Sequence, residues 1–449
     1  MAISQPIFRR KIYDNLLKWK QEEQGHSALL IEGARRVGKS TLAEEFGKNE
    51  YKSYILVDFS RASKRVMRLF DDISDLDTLL MQLQFEYNVS LAERESLVIF
   101  DEVQLCPKAR QAIKHLVADR RFDYIETGSL ISITKNTKHI LIPSEEDYVK
   151  MNPMDFEEFL WASGDNVTAG LLRDVIERGA YNGIPHRTLM RKFRLYMLVG
   201  GMPQAVAEYL DTKDLIRVDK IKRGIINLYL ADFIKIDSSG RIGRLFENIP
   251  AQLNRKVSRY MVHQVIGDTE EKKEDMLMSE LAASMTANMC HHTADPANGL
   301  AMDFDKDYFK IYTADTGLFV TLAFWDKDIA ENEIYRKLLS DKLSANLGYV
   351  YENIVAQMIV AERRKLFYYT FPSENRHLYE VDFLISQGSK IDPIEVKSSG
   401  YKAHKSLDMF CTKYSGKVKQ PLIVTTKEYH KEGNVMFVPV YLFPFIIEK

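Results

Sequence analysis

LLIEGARRVGKST, residues 29–41, joins a short apolar run to a glycine-framed loop and then to a helix-forming segment. Gly33 and Gly38 give the GxxxxGK[ST] spacing, in which backbone N–H groups curl around phosphate oxygens with no Cβ in the way. Lys39 reaches the β- and γ-phosphates, Ser40 is a ligand for Mg²⁺, and Arg36 and Thr41 are counted with the same nucleotide-binding loop. Residues 29–31 supply the strand before the loop. Thr41-Leu42-Ala43-Glu44-Glu45-Phe46 supplies a helix whose N-terminus faces the anion. The stretch predicts a nucleoside triphosphate site.

As far as about residue 160, apolar runs alternate with amphipathic segments. LLIEG, YILVDFS, SLVIFDE and DYIETGS read as strands with helical patterns between them. That rhythm implies an α/β fold, a parallel sheet with helices on both faces. Leu97-Val98-Ile99-Phe100 ends in Asp101-Glu102, the acids such a site needs on the neighbouring strand: Asp101 for Mg²⁺ and Glu102 to polarise the attacking water. A third strand, Tyr124-Ile125-Glu126, ends in Thr127-Gly128-Ser129, where the hydroxyl of either Thr127 or Ser129 could sense the γ-phosphate between the two strands.

The 449 residues are too many for one ordinary core, so two or three domains are expected. Lys plus Arg (62) nearly cancels Asp plus Glu (63), which excludes a whole-protein positive field; any nucleic-acid contact must use local patches. The opening MAISQPIFRRKIYDNLLKWK lacks an apolar core of signal-peptide length, and no run approaches the ~18 apolar residues of a spanning helix. A cytoplasmic protein without membrane contact is expected. Cys106, Cys290 and Cys411 are far apart and lack metal-type spacing, so they read as reduced and structural.

From about 151 to 235 the pattern turns helical: DFEEFLWA, RTLMRKFRLYMLV, a break at Gly200-Gly201-Met202-Pro203, then QAVAEYL. Residues 241–345 look helical and then irregular. Their first twenty residues carry five basic side chains and one acid at helical spacing, which suggests a winged-helix-like module. A final mixed α/β unit begins near 346 with the helical NLGYVYENIVAQMIVAERR and continues with strand-like LFYYTF, YEVDFLI, PIEVKS and PLIVTT. The predicted divisions are 1–160, 161–240, 241–345 and 346–449.

Asp382 lies within YEVDFLI, and Glu395-Val396-Lys397 follows after a Gly-containing turn at 387–390. Strand residues two apart share a face, so Glu395 and Lys397 point the same way and a hairpin partner can bring Asp382 beside them. Such hard oxygen ligands suit Mg²⁺ or Mn²⁺, and the lysine can orient or help deprotonate a water for attack on a phosphodiester. Between residues 390 and 419 seven lysines face three acids, a composition compatible with a backbone-tracking patch. Cys290-His291-His292 has no matching distant ligand set and is not read as a metal site.

At the phosphate loop, Asp101-Glu102 and the Thr127-Gly128-Ser129 strand end, and again at NPMDFEEFLWA and YMLVGGMPQAV, the chain resembles prokaryotic AAA-type ATPases that carry a C-terminal domain of unknown function. The resemblance runs on through KIYTADTGLF and NLGYVYENIVAQ to EVDFLI and IEVKS, nearly the whole chain. It implies ATP as the nucleotide. Such proteins usually carry a Gly-Arg pair before PMDFEEF, where this chain has KHILIPSEEDYVKMN. Arg187, Arg191 and Arg194 share one helical face and could present a guanidinium to the γ-phosphate, although a solvated basic face is the favoured reading. The Asp382, Glu395 and Lys397 pattern resembles the PD-(D/E)XK nuclease superfamily, a restriction-endonuclease-like fold whose core commonly adds an acid from a preceding helix. Glu352 fits that place. The resemblance thus implies Glu352, Asp382 and Glu395 as metal ligands beside the catalytic set Asp382, Glu395 and Lys397.

The expected activity is Mg²⁺-dependent ATP hydrolysis coupled to a nuclease-like domain that acts on or binds DNA or RNA. The rival is a non-nucleolytic ATP-dependent switch that recruits a protein partner. AAA-type sites completed by a neighbour's arginine would make a homo-oligomer natural, an expectation that the replaced Gly-Arg pair weakens.

Overall fold

A computed structural model describes residues 6–128, 144–181, 183–255, 257–327, 338–339, 348–373, 378–400 and 403–448. The chain divides into two units, Met1–Asn152 with Ala283–Met285, and Pro153–Ala282 with Thr286–Lys449.

In the first unit, strands β1 (Ala28–Glu32), β2 (Ser53–Asp58), β3 (Ser96–Asp101), β4 (Asp123–Gly128) and β5 (Glu146–Lys150) form a sheet in the order β2-β3-β4-β1-β5. Every pairing is parallel. β1, β3 and β4 are buried along their whole length, as a sheet covered on both faces requires, and β1 and β3 carry the apolar runs Ala28–Ile31 and Leu97–Phe100 for that reason. Helices α1 (Tyr13–Glu23), α2 (Lys39–Glu50), α3 (Lys64–Leu69), α4 (Leu76–Tyr87) and α5 (Pro107–Asp119) accompany the sheet. Pro107 opens α5, where its missing N–H costs nothing, and Ala109, Ala112, Ile113, Leu116 and Val117 form its buried stripe. Phe59, Phe70 and Phe100 pack at centroid distances of 5.5–5.8 Å, a cluster in which losing one ring costs about 3–5 kcal/mol. Arg110 of α5, fully buried, spans Glu126 on β4 (3.0 Å) and Glu146 on β5 (2.8 Å). Removing it would strand two buried carboxylates, at about 3–5 kcal/mol. Arg110 thus links β4 to the edge strand β5.

The second unit opens with helices α6 (Phe156–Ala162), α7 (Thr168–Arg178), α8 (His186–Val199), α9 (Pro203–Thr212), α10 (Leu215–Ile236), α11 (Arg241–Glu247), α12 (Ile249–Asn254), α13 (Val262–Ile266) and α14 (Glu271–Ala283). The PMDFEEF motif is the start of α6. Asp155 accepts from Glu158 N while Glu158 accepts from Asp155 N, a reciprocal cap worth about 1 kcal/mol. Glu157, the next acid, holds Arg173 in a paired contact at 2.5 and 2.7 Å. The glycine break fits the same motif: a Cβ on Gly201 would lie 2.0 Å from Met154 O, so only glycine allows this approach.

An eight-stranded mixed sheet completes the unit. Its strands are β6 (Ala287–Thr293), β7 (Phe304–Thr313), β8 (Leu366–Pro372), β9 (Leu378–Gln387), β10 (Lys390–Lys397), β11 (Leu422–Thr425), β12 (His430–Glu432) and β13 (Val435–Pro439), in the order β12-β13-β11-β10-β9-β8-β6-β7. β8, β9 and β10 form an antiparallel meander, and β10 is followed by helix α17 (Lys405–Lys413) and a parallel β11. Helices α15 (Thr316–Ala323), α16 (Gly348–Ala361) and α18 (Phe443–Ile447) complete the described elements. Gly388 turns the β9–β10 hairpin with φ +64°, as the sequence led us to expect.

One expectation is corrected. The strand that ends in Asp101 is not the neighbour of β1, because β4 lies between them. β6 and β7, which come from the region 241–345, belong to the same sheet as β8–β13. β6 pairs antiparallel with β7 and parallel with β8, so this hairpin extends the sheet and leaves β7 at its edge.

Candidate functional site

The sheet order brings the first site together. β1 delivers the phosphate loop, β4 beside it delivers Thr127, and β3 beyond that delivers Asp101 and Glu102. A Cβ on Gly33 would lie 2.5 Å from Met151 O and 3.0 Å from Val37 Cγ2, so the loop's first turn has room only for glycine. Gly38, at φ +103°, caps α2 and leaves its first N–H groups turned to the loop. Arg36 is exposed at φ +71°, and Thr41 is exposed in the first turn of α2. The Lys39 Nζ is buried and donates to Gly33 O (2.9 Å) and Ala34 O (3.0 Å). Burial pushes this ammonium down to about 8, against the pull of Glu102 and Asp101.

Ser40 Oγ donates to Asp101 Oδ1 at 2.6 Å, and Thr127 Oγ1 donates to the same carboxylate oxygen. A hydroxyl and a carboxylate in contact are hard oxygen donors of the kind Mg²⁺ takes, so these residues fit that ion. Glu102 follows at φ +54° and accepts a hydrogen bond from Gln104 Nε2. A non-glycine residue held in the left-handed region carries strain of about 1–3 kcal/mol, the kind of outlier that concentrates at functional sites. Of the two hydroxyl candidates, Thr127 touches Asp101, whereas Ser129 lies outside the described residues.

One contributor was missed. Arg10 donates to Val37 O (2.9 Å) inside the loop and to Asn152 O (2.6 Å), bracing the loop against the segment after β5. FRRK, residues 8–11, is the only local signal of it, and reads as an exposed basic run. On α8, Arg187 and Arg191 are exposed while Arg194 is buried, so the favoured solvated face holds for two of the three arginines.

The second site lies on the mixed sheet. The β9–β10 register sets Phe383 against Ile394, which places Asp382 against the next residues of β10. Asp382 Oδ2 accepts from Val396 N at 2.7 Å, and Lys397 Nζ sits 2.6 Å from Glu395 Oε1. Glu352 arrives from α16 and accepts from Tyr312 OH at 3.5 Å. Asp382, Glu395, Lys397 and Glu352 lie close enough to act on one another's charge. Burial raises the pKa of Glu352, Glu395 and, most strongly, Asp382, where the other carboxylates add to it.

Two residues absent from the expected set join them. Lys310 on β7 is buried and pairs with Glu380 on β9 at 2.5 Å. Burial alone would lower the Lys310 ammonium, but Glu380, Glu352 and Asp382 outweigh it and hold the pKa above the usual lysine value. Lys310 thus stands close to Glu352 and Asp382, two of the three acids expected as metal ligands with Glu395. Among the described residues no three His, Cys, Asp or Glu side chains are grouped to hold a metal ion. Hydrogen bonds and ammonium groups already occupy Asp382 Oδ2, Glu395 Oε1 and Glu352 Oε2, and only Glu395 Oε2 of these carboxylates is buried without a partner among the described residues. Cys290, His291 and His292 form no metal group either; burial raises the thiol and lowers both imidazoles.

No described helix is long and apolar enough to cross a membrane. None of the curated proteins matches this chain. Three family models match parts of it: an AAA domain over residues 25–160, a domain of unknown function (DUF8612) over 190–329, and another (DUF4143) over 347–443. Among solved structures, the Walker-type ATPase PABY2304 of Pyrococcus abyssi is 17% identical, with a TM-score of 0.41 over 70% of this chain and 96% of that one. The ORC1 protein of Aeropyrum pernix, in complex with DNA, is 11% identical with a TM-score of 0.25 over 73% and 94%. Likenesses this weak carry no functional argument, so the assignment rests on the family match and the loop. Residues 25–160 match an AAA domain, and the protein is a P-loop ATPase.

Proposed function

We propose that the first unit hydrolyses ATP with Mg²⁺ held by Ser40 and Asp101, and that the cycle controls a nuclease-fold C-terminal domain that binds DNA or RNA. Mg²⁺ held by Ser40 and Asp101 would offset the charge that develops on the phosphate oxygens. Lys39 exchanges two backbone carbonyls for phosphate oxygens, Glu102 orients the attacking water, and Thr127 reports on the γ-phosphate through its contact with Asp101. The observation that carries the hydrolytic part is the convergence of Lys39, Ser40, Asp101 and Thr127 from three strand ends of one sheet. Lys39→Ala should weaken ATP binding by roughly 10- to 100-fold, since a charge-assisted bond contributes about 1.5–3 kcal/mol. Unchanged binding of a fluorescent ATP analogue would sink the reading.

For the C-terminal domain, support comes from the helix, three-strand meander, crossover helix and parallel strand that gather Glu352, Asp382, Glu395 and Lys397. Gel-shift assays with single- and double-stranded DNA and RNA test it, and no binding to any of them would reject it. Internal neutralisation of the carboxylates by Lys310 and Lys397 favours the second reading, a non-nucleolytic switch that recruits a protein. Absence of cleavage together with ATP-dependent capture of a partner would select that one.

A further inference from the structure

We infer that the Lys310 ammonium stands where a nuclease-like domain would hold a divalent cation, so that the carboxylate cluster is neutralised from within and takes up no divalent metal. The expectation of a metal rests on the nuclease-like reading of β8–β11; the placement of Lys310 does not.

Lys310 comes from β7, outside the meander that carries the other groups, with β6 and β8 lying between β7 and β9 in the sheet. Its ammonium nevertheless reaches Glu380 at 2.5 Å and lies 5.2 Å from the centroid of the Tyr368 ring, so an aromatic face and a carboxylate fix it together. Two residues along, on the same face of β7, Tyr312 donates to Glu352. One strand thus supplies a cation and a hydroxyl to the acids gathered by α16 and β9. Lys397 serves Glu395 in the same way from β10. Four carboxylates, Glu352, Glu380, Asp382 and Glu395, meet two ammonium groups, and a divalent ion entering among them would have to displace or face Lys310. A domain built so can hold a nucleic-acid backbone or a protein, but it has no resident metal to activate water.

The test is Mn²⁺ uptake by the full-length protein without nucleotide, read by electron paramagnetic resonance. Wild type and Asp382→Asn should bind the same amount, which makes any Mn²⁺ at the phosphate loop a common background. Lys310→Met should bind one additional Mn²⁺ per chain, and Lys310→Met/Asp382→Asn should lose it again. Lys310→Gln, which keeps most of the side chain's length, stands in if the methionine variant fails to fold. Mn²⁺ bound by wild type and lost in Asp382→Asn would overturn the inference while strengthening the nuclease-like reading. No additional ion in either Lys310 variant would overturn it too. DNA and RNA binding in EDTA, measured separately on wild type, reports on the nuclease-like reading alone.

Discussion

Lys39 in the phosphate loop and Lys310 on β7 are both buried, yet their surroundings treat the charge in opposite ways. Lys39 rests on two backbone carbonyls, and burial pushes its pKa down to about 8. Lys310 rests on a carboxylate with two more close by, and its pKa is driven up. A buried cation hydrogen-bonded to backbone carbonyls, in which burial outweighs the pull of the nearby acids, is an incomplete arrangement that gains when an anion arrives. One held by carboxylates is already complete. The first unit is therefore built to receive a polyanion, and the second site is built to satisfy itself.

The comparison is broken most readily at the first site. Glu102→Gln keeps the shape of the side chain but removes the base, so hydrolysis should fall by about 10²- to 10⁴-fold while ATP binding stays near wild type. Phosphate-release kinetics alongside a binding titration would show this. Hydrolysis within a few-fold of wild type would mean that the strained Glu102 backbone serves the turn and not the chemistry.

A smaller effect is expected at Arg10, which supports the loop without reaching the phosphates. Arg10→Ala removes two hydrogen bonds from a charged donor, to Val37 O and Asn152 O. ATP affinity should fall about tenfold, with turnover of bound ATP unchanged, because positioning of the loop is lost and not the reacting groups. A fall in turnover with intact affinity would place Arg10 in the chemistry.

The phosphate site was legible because its parts are short contiguous motifs on strands buried on both faces. The loop, Asp101-Glu102 and the Thr127-Gly128-Ser129 strand end each declare themselves within a few residues, and parallel-sheet topology brings them together, although the choice of Thr127 over Ser129 was not legible. What escaped is what depends on the third dimension. β5 is an edge strand with the burial order buried, exposed, exposed, buried, exposed, and its EDYVK lacks both alternation and an apolar run. β6 has its buried positions three apart, which mimics a helix, and β7 begins with five residues that are exposed or half-buried, including three charges. Those two strands hid the true extent of the C-terminal sheet. They hid Lys310 with it, since its partner Glu380 is 70 residues away and nothing in FKIYT marks the lysine as buried.

A third buried lysine sharpens the contrast and carries the smallest effect. Lys222 on α10 donates to Leu198 O (2.7 Å) and Gly317 O (3.2 Å). Burial lowers its pKa from 10.5 to about 8, although Asp219 and Asp315 pull the other way. Between about 8 and 10.5 the unfolded chain therefore binds the proton that the folded chain has released. Stability contributed by this group must rise with pH across that window, and below it the full cost of the buried charge stands. The free-energy gap between wild type and Lys222→Met, measured by denaturant unfolding, should shift in favour of wild type by about 1 kcal/mol per pH unit there. Taking the difference cancels the titration of every other group that the substitution leaves alone. A flat gap would mean that Asp219 and Asp315 hold Lys222 charged throughout. Contact with carbonyl oxygens would then no longer separate Lys39 from Lys310, and the low pKa of Lys39 would lose its meaning as the mark of a site awaiting an anion.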